Sequence, residues 1–90
     1  RANLPRTAPA IMKALQLMVR EGCHLCDEFE DLLEHHPLGS QFELERVVIN
    51  NRADLEALYG TKVPVLLGES SEICHYFIDQ KALKEYLLSA

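Results

Sequence analysis

The sequence predicts a single α/β domain built around a mixed four-stranded sheet. Runs with strand-like alternation or a short apolar core are separated by runs with helical spacing, in the order β-α-β-α-β-β-α. Ninety residues suffice for one domain of this kind. We expect the first β-α-β unit to be parallel and right-handed. We expect the last two strands, joined by a turn at 68–71, to form an antiparallel hairpin.

The first half of the chain predicts a strand, a helix and a second strand. Residues 14–19 predict the first strand, because the alternation places Leu15, Leu17 and Val19 on one face and Gln16 on the other. Residues 24–35 carry apolar side chains at helical spacing and are followed by Pro37 and Gly39, which end the helix. Residues 42–49 begin with alternation and finish in an apolar run, as a strand buried on both faces does.

The second half predicts a short helix, two strands and a last helix. Their expected bounds are 51–59, 63–67, 72–77 and 80–88. In the first of these helices we expect Leu55, Leu58 and Tyr59 to face inward, and Gly60 to end it. Asp79 is a favourable N-cap for the last helix, because its carboxylate accepts hydrogen bonds from free backbone N–H groups.

Residues 1–11 contain two prolines and no periodicity, which predicts a flexible extension before a domain at 12–90.

Composition and charge exclude several classes of protein. The net charge is −5 without a Lys/Arg cluster, so we expect no nucleic-acid partner. No apolar run approaches the roughly 20 residues of a membrane-spanning helix. Three cysteines, an odd number, favour a reducing compartment, so we expect a cytoplasmic protein. We also expect a monomer.

The chemistry of the chain is concentrated in the Cys-His-Leu-Cys motif at 23–26, between the first strand and the first helix. A helix N-terminus stabilises a thiolate through its free N–H groups and the positive end of its dipole. We therefore predict that Cys23 is the nucleophile and that Cys26, deeper in the helix, is the resolving thiol. His24 and Arg20 are candidates for electrostatic support of the thiolate. The alternatives are a buried pair of small apolar residues or half of a zinc site.

A second motif supports the redox interpretation. Pro64 follows Val63 at the start of an apolar strand, where a proline does not have to donate to the sheet. A trans proline that merely opens the strand is one interpretation. With a CxxC motif upstream, we favour a cis Val63–Pro64 peptide bond.

Together, these motifs and the order of elements resemble the glutaredoxins, small members of the thioredoxin superfamily. The resemblance is closest to bacterial glutaredoxin-like proteins of uncharacterised role and covers residues 12–90. It rests on Gly-Cys-His-Leu-Cys-Asp at 22–27, Tyr-Gly at 59–60, Val-Pro-Val-Leu at 63–66 and Glu-Ile-Cys at 72–74. It implies a thioredoxin-like, three-layer α/β/α fold with strand order 2-1-3-4. It also implies thiol–disulfide oxidoreductase activity, with no bound cofactor and with glutathione as a candidate cosubstrate.

The resemblance also implies a set of substrate-binding residues. The backbone of Val63, before the cis Pro64, is expected to pair with the cysteinyl backbone of glutathione. Arg20, three residues before the first cysteine, is expected to assist the thiolate or a glutathione carboxylate, and Lys62 to play a similar part. Asp79 matches the aspartate of the segment that holds a glutathione carboxylate.

The chain departs from the glutaredoxin pattern at two places. His24 and Leu25 stand between the cysteines where glutaredoxins usually have Pro-Tyr. His75 and Tyr76 stand about where they have two glycines. Because bulky side chains fill that position, we predict weak activity with glutathione.

The sequence leaves two properties of the protein open, its partner and the role of Cys74. The expected partner is a disulfide-containing protein or a glutathione mixed disulfide; the alternative is a non-enzymatic thioredoxin-like module that binds a protein or a metal. Cys74 is either a third redox thiol or a buried apolar residue. A zinc site that uses both Cys74 and His75 is disfavoured, because neighbours in a strand point to opposite faces, and we expect no metal.

Overall fold

The structure of the chain is a computed structural model that describes residues 12–69 and 71–89. The predicted extension, residues 1–11, lies outside the described residues. The elements are β1 (Lys13–Val19), α1 (His24–Glu34), a 3₁₀ turn (Gly39–Gln41), β2 (Phe42–Val48), α2 (Ala53–Tyr59), β3 (Val65–Leu67), β4 (Glu72–His75) and α3 (Gln80–Leu88).

The four strands form one mixed sheet in the order β2-β1-β3-β4, as predicted. Strands β1 and β2 are parallel, with Lys13 opposite Phe42 and Val19 opposite Val48. Helix α1 provides the long crossover that a parallel pair needs. Strand β3 is antiparallel to both β1 and β4, so β3 and β4 form the predicted hairpin.

The sheet is packed on both faces, which gives three layers. Leu17 and Met18 are neighbours in β1, so their side chains enter opposite faces. Leu17 belongs to the larger core, which α1 and α3 cover with Phe29, Leu33, Leu83 and Leu87. Met18 packs with Ile49 and Val65 in a smaller core, against which Leu55 and Tyr59 of α2 lie.

Helix α2 differs from its prediction at two points. It begins at Ala53 rather than at residue 51, because Asn51 has a left-handed backbone (φ 64°) that no helical residue adopts. The inward placement of Leu58 is wrong, since this side chain is 63% exposed. Leu55 and Tyr59, four residues apart, already form the single stripe by which so short a helix contacts the sheet.

The last two strands are shorter than predicted. Strand β3 begins at Val65, because Pro64 has no N–H to donate to the ladder. Strand β4 ends at His75, because Tyr76 has a left-handed backbone (φ 66°) that takes the chain out of the sheet.

The topology collects the connecting loops at one end of the sheet. The parallel strands β1 and β2 finish there, the antiparallel β3 begins there, and β4 finishes there. The segments that meet at this end are therefore 20–23, 49–52, 60–64 and 76–79. They contain both predicted motifs.

Candidate functional site

The two cysteines of the CxxC motif have different environments at the start of α1. Cys23 is the N-cap residue, and its Sγ accepts a hydrogen bond of 3.1 Å from the backbone N–H of Cys26. The two residues form a disulfide, with their Cα atoms 5.2 Å apart. Cys23 is half-buried, whereas Cys26 is 1% exposed. An incoming disulfide can therefore reach the sulfur of Cys23, and the sulfur of Cys26 lies behind it.

The turn before the motif depends on glycine. Gly22 has φ 77°, a conformation that side-chain-bearing residues rarely adopt. The turn is closed by the backbone N–H of Cys23, which donates to the carbonyl oxygen of Arg20 at 3.2 Å. Gly22 thus lets the chain leave β1 and place Cys23 directly at the helix N-terminus.

The predicted cis peptide bond between Val63 and Pro64 is present in the structure. Pro64 is buried and Val63 is half-buried against both cores. The carbonyl oxygen of Pro64 accepts a hydrogen bond of 2.9 Å from the backbone N–H of Tyr76. The proline loop is therefore held to the end of β4, on the same edge of the sheet as Cys23.

Arg20 is engaged with α2. Its guanidinium donates to both carboxylate oxygens of Glu56, at 2.8 and 2.6 Å, and to the carbonyl oxygen of Gly60 at 3.0 Å. The hydrogen bond and the opposite charge lower the pKa of Glu56 and raise that of Arg20. The predicted support of a substrate or thiolate by Arg20 remains a prediction, and the positive charge is already shared with a carboxylate.

Gly60 permits this arrangement by its lack of a side chain. A Cβ atom at Gly60 would lie 2.5 Å from the carbonyl oxygen of Glu56 and 3.4 Å from Nη2 of Arg20. The close approach of the backbone to the Arg20–Glu56 pair therefore requires glycine. Gly60 ends the helix as expected, and it does so with an ordinary right-handed backbone, so glycine is needed here for the close approach and not for the backbone conformation.

Lys62 is also paired with a carboxylate. Its Nζ lies 2.8 Å from Oε1 of Glu72 on β4, and His75 Nδ1 contacts the other oxygen of the same carboxylate. The ammonium of Lys62 and then the ring of His75 lower the pKa of Glu72. The predicted substrate-binding role of Lys62 remains a prediction.

The Glu72 network predicts a pH-dependent contribution to stability. The pKa of Glu72 in the folded chain lies below its ordinary value of 4.5, so the network stabilises the fold above that pH. The contribution is lost as pH falls through the folded-state pKa. We expect Glu72→Gln to lower the free energy of unfolding by less than about 1 kcal/mol at neutral pH, because the group is largely solvent-screened.

Denaturation of the wild type and of Glu72→Gln at several pH values checks this expectation. The difference between the two proteins should shrink over the interval in which the pH is lowered below the ordinary pKa of Glu72, 4.5. A difference that stays constant over this interval would show that the carboxylate charge does not stabilise the fold.

Tyr76 ties the end of β4 to the proline loop at a second point. Its hydroxyl donates to the carbonyl oxygen of Thr61 at 2.8 Å, and its ring packs edge-on against the ring of His75. A bulky residue with a left-handed backbone costs on the order of 1–3 kcal/mol, which such contacts must offset. Sequence reasoning identified this residue as bulky but missed its anchoring role, for which no local pattern exists.

Asp79 caps α3, as predicted. Its Oδ1 accepts a hydrogen bond of 3.0 Å from the backbone N–H of Ala82. The side-chain carboxylate of Asp79 therefore lies at the N-terminus of α3, the position that the resemblance assigns to a carboxylate of glutathione. The predicted substrate-binding roles of Asp79 and of the exposed His24 remain predictions.

An apolar groove adjoins the CxxC motif. It has a volume of about 210 Å³ and lies between α1 and the segment that joins β4 to α3. Its apolar lining consists of Leu25, Phe29 and Leu32 on one side and Tyr76, Phe77 and Ile78 on the other. Because Leu25 stands between the two cysteines, the groove begins at the reactive pair.

Cys74 lies apart from this chemistry. It is 8% exposed on β4 and has no disulfide partner among the described residues. Burial raises the pKa of its thiol above the usual 9.0, which keeps it protonated and unreactive near neutral pH. The structure therefore favours the buried apolar residue over the third redox thiol.

Alkylation of the reduced, folded protein should separate Cys74 from the motif. We expect iodoacetamide near pH 7 to label Cys74 at least about 100-fold more slowly than Cys23, since only a thiolate reacts. Peptide mapping by mass spectrometry gives the two rates, and unfolding in urea should make them similar. Fast labelling of Cys74 in the folded protein would contradict its burial.

Within 12–69 and 71–89, no group of three or more His, Cys, Asp or Glu side chains is placed to hold a metal ion. None of the helices described has the length and apolar character needed to cross a membrane.

Comparison with known proteins first defines the class of fold. The germline-specific thioredoxin Deadhead of Drosophila melanogaster superimposes with a TM-score of 0.52 over 87% of this chain and 80% of its own, at 15% identity. The similarity shows that the fold is that of the thioredoxins.

The family follows from a closer match. The family model of the glutaredoxin-like domain (DUF836) matches residues 14–88, and the chain therefore belongs to this family. The chain is 39% identical to protein Ne2328 of Nitrosomonas europaea, covering 83% of this chain and 91% of that one, with a TM-score of 0.74. It is 32% identical to protein XcR50 of X. campestris, covering 84% and 97%, with a TM-score of 0.66. No curated protein matches the chain.

Proposed function

We propose that this protein is a thiol–disulfide oxidoreductase that works through Cys23 and Cys26. The observation that carries the proposal is the asymmetry of the pair at the helix N-terminus. Cys23 caps the helix and is partly accessible, while Cys26 is buried and within bonding distance. An attacking and a resolving thiol need this arrangement.

The first step is attack by the thiolate of Cys23 on a substrate disulfide. A bond forms between Cys23 Sγ and one substrate sulfur, while the substrate S–S bond breaks. The other substrate sulfur leaves as a thiolate and takes a proton from solvent. The helix N-terminus favours the thiolate of Cys23 over the thiol, and the N–H of Cys26 donates to that sulfur.

The second step closes the disulfide seen in the structure. Cys26 loses its proton to solvent and attacks Cys23 Sγ, so that the Cys23–Cys26 bond forms and the mixed disulfide breaks. The substrate sulfur leaves as a thiolate and takes up a proton from solvent. Two electrons have then passed from the cysteine pair to the substrate. A small dithiol, two molecules of a monothiol or a reductase returns two electrons to the pair before the next cycle.

The surrounding loops position the substrate in this proposal. The backbone of Val63, next to the buried Pro64, is assigned to pair with the chain of the substrate cysteine. Arg20 and Lys62, which are held by Glu56 and Glu72, are positioning residues that fix the two loops. Activity of this kind suits a reducing compartment such as the cytoplasm.

The proposal is tested with two substrates and catalytic amounts of the protein. One is a mixed disulfide with glutathione, reduced by glutathione; the other is a protein disulfide, reduced by a thioredoxin reductase system or dithiothreitol. We expect clear acceleration of the second reaction and weak acceleration of the first. No acceleration of either, together with stoichiometric zinc binding, would support the non-enzymatic module instead.

A further inference from the structure

The apolar groove beside the CxxC motif exposes large side chains that the fold does not require. Phe77 is 70% exposed and Leu32 is 57% exposed, one on each side of the groove. Tyr76 lines the groove on the same side as Phe77. Apolar side chains of this size, exposed on facing walls, are typical of a surface that binds a partner.

The surroundings of the groove are negatively charged. Helix α1 contains five acidic residues and no lysine or arginine, and one of the five, Glu30, is paired with Arg46 of β2. Of these, Glu28 lines the groove itself. Beyond the groove, Asp79 places its carboxylate at the start of α3.

The cations of the site are neutralised by the chain itself. Arg20 is bound to Glu56, and Lys62 is bound to Glu72. An anionic ligand in the groove would lie beside the carboxylate of Glu28, and the two cations Arg20 and Lys62 are already paired. A cationic ligand would meet complementary charge.

From this combination we propose the class of substrate, an inference that rests on the proposed function. The groove binds a large apolar or aromatic side chain next to the reactive cysteine of a protein disulfide, and Glu28 binds a lysine or arginine that flanks it. The substrate is thus a protein segment with an apolar and basic sequence around its cysteine. Glutathione, with two carboxylates and no apolar side chain, offers neither feature.

Synthetic peptides provide the probe for this inference. Each peptide contains one cysteine in a mixed disulfide with a neutral thiol, so that every peptide undergoes the same chemistry. The position beside the cysteine is Phe or Ala, and the next position is Lys or Glu. A mixed disulfide of N-acetylcysteine amide with the same neutral thiol serves as a reference without side-chain contacts.

We expect kcat/KM to be highest for the peptide with Phe and Lys. Replacement of Phe by Ala should lower it roughly tenfold, which is the usual scale for discrimination by an apolar pocket. Replacement of Lys by Glu should lower it by a further factor of about 3 at low ionic strength, and salt should weaken this second effect.

Matched variants assign these preferences to the groove. Phe77→Ser should remove most of the preference for Phe. Leu58→Ser removes a similarly exposed apolar side chain on α2 and should leave the preference unchanged. Glu28→Lys should reverse the preference for Lys. Glu34→Lys makes the same change in net charge on α1 at a residue outside the groove lining and should not reverse it.

The outcomes separate this inference from the proposed function. If the reference compound and all the peptides were reduced at the same rate, the groove would not be a recognition site, and the proposed oxidoreductase activity would stand. If neither the peptides nor the reference compound were reduced, both this inference and the proposed function would be overturned. Preferences that survive Phe77→Ser and Glu28→Lys would place recognition elsewhere and overturn the assignment of these residues.

Discussion

Replacement of Cys23 by serine should abolish disulfide reduction. The serine hydroxyl fits the N-cap position and still accepts the hydrogen bond from residue 26, so the fold should be retained. The variant has no accessible thiolate, so the loss of activity should be complete within the limit of detection. The measurement is the rate of reduction of a protein disulfide, with circular dichroism as the check on folding.

Replacement of Cys26 by serine should have a different result. Cys23 can still attack, but no second thiol resolves the intermediate, so a stable mixed disulfide with the substrate should accumulate. Mass spectrometry of the intact protein detects the added mass, which a reductant should release. Full activity of Cys23→Ser, or a mixed disulfide located on Cys74 in the Cys26→Ser variant, would show that the roles are assigned wrongly.

The second large effect is expected in the core. Leu66 is fully buried in β3, where it lies between Leu17 of β1 and Cys74 of β4. Leu66→Ala removes three carbons and leaves a cavity. Because β3 is hydrogen-bonded to β1 on one side and to β4 on the other, the backbone should not move to fill it. We expect a loss of about 2–5 kcal/mol in the free energy of unfolding. This is a large part of the total of about 5–15 kcal/mol typical of such domains.

Leu58→Ala provides the control for this prediction. Leu58 is exposed on α2, so the same change in side chain should alter the free energy of unfolding by less than about 0.5 kcal/mol. Urea denaturation of the wild type and both variants gives the comparison. Equal destabilisation by the two substitutions would contradict the division into core and surface described above.

Elements with a strong local signal could be predicted from the sequence. Leu15 and Leu17 of β1 are buried, as their spacing predicts, and the cap at Asp79 joins groups three residues apart, so neither prediction needed tertiary information. The cis bond before Pro64 was predicted correctly because the CxxC motif supplied the context for a site. The strand order followed from the resemblance and was confirmed by the structure.

Features that depend on distant partners could not be predicted. Arg20 and Glu56 are 36 residues apart, and nothing in the local pattern joins them. The left-handed backbones of Asn51 and Tyr76 shorten two predicted elements, yet neither residue is a glycine. The apolar groove forms only when Leu25 and Phe77 are brought together by the packing of α1 against the end of β4.

The central claim is that Cys23 and Cys26 form a reversible two-electron couple. The most direct test is equilibration of the protein in buffers of oxidised and reduced dithiothreitol, followed by acid quenching, alkylation and peptide mapping. The account predicts that both cysteines change state together, with a tenfold change in the ratio of forms per roughly 30 mV, while Cys74 stays reduced. Independent oxidation of the two cysteines, or a disulfide that includes Cys74, would contradict it.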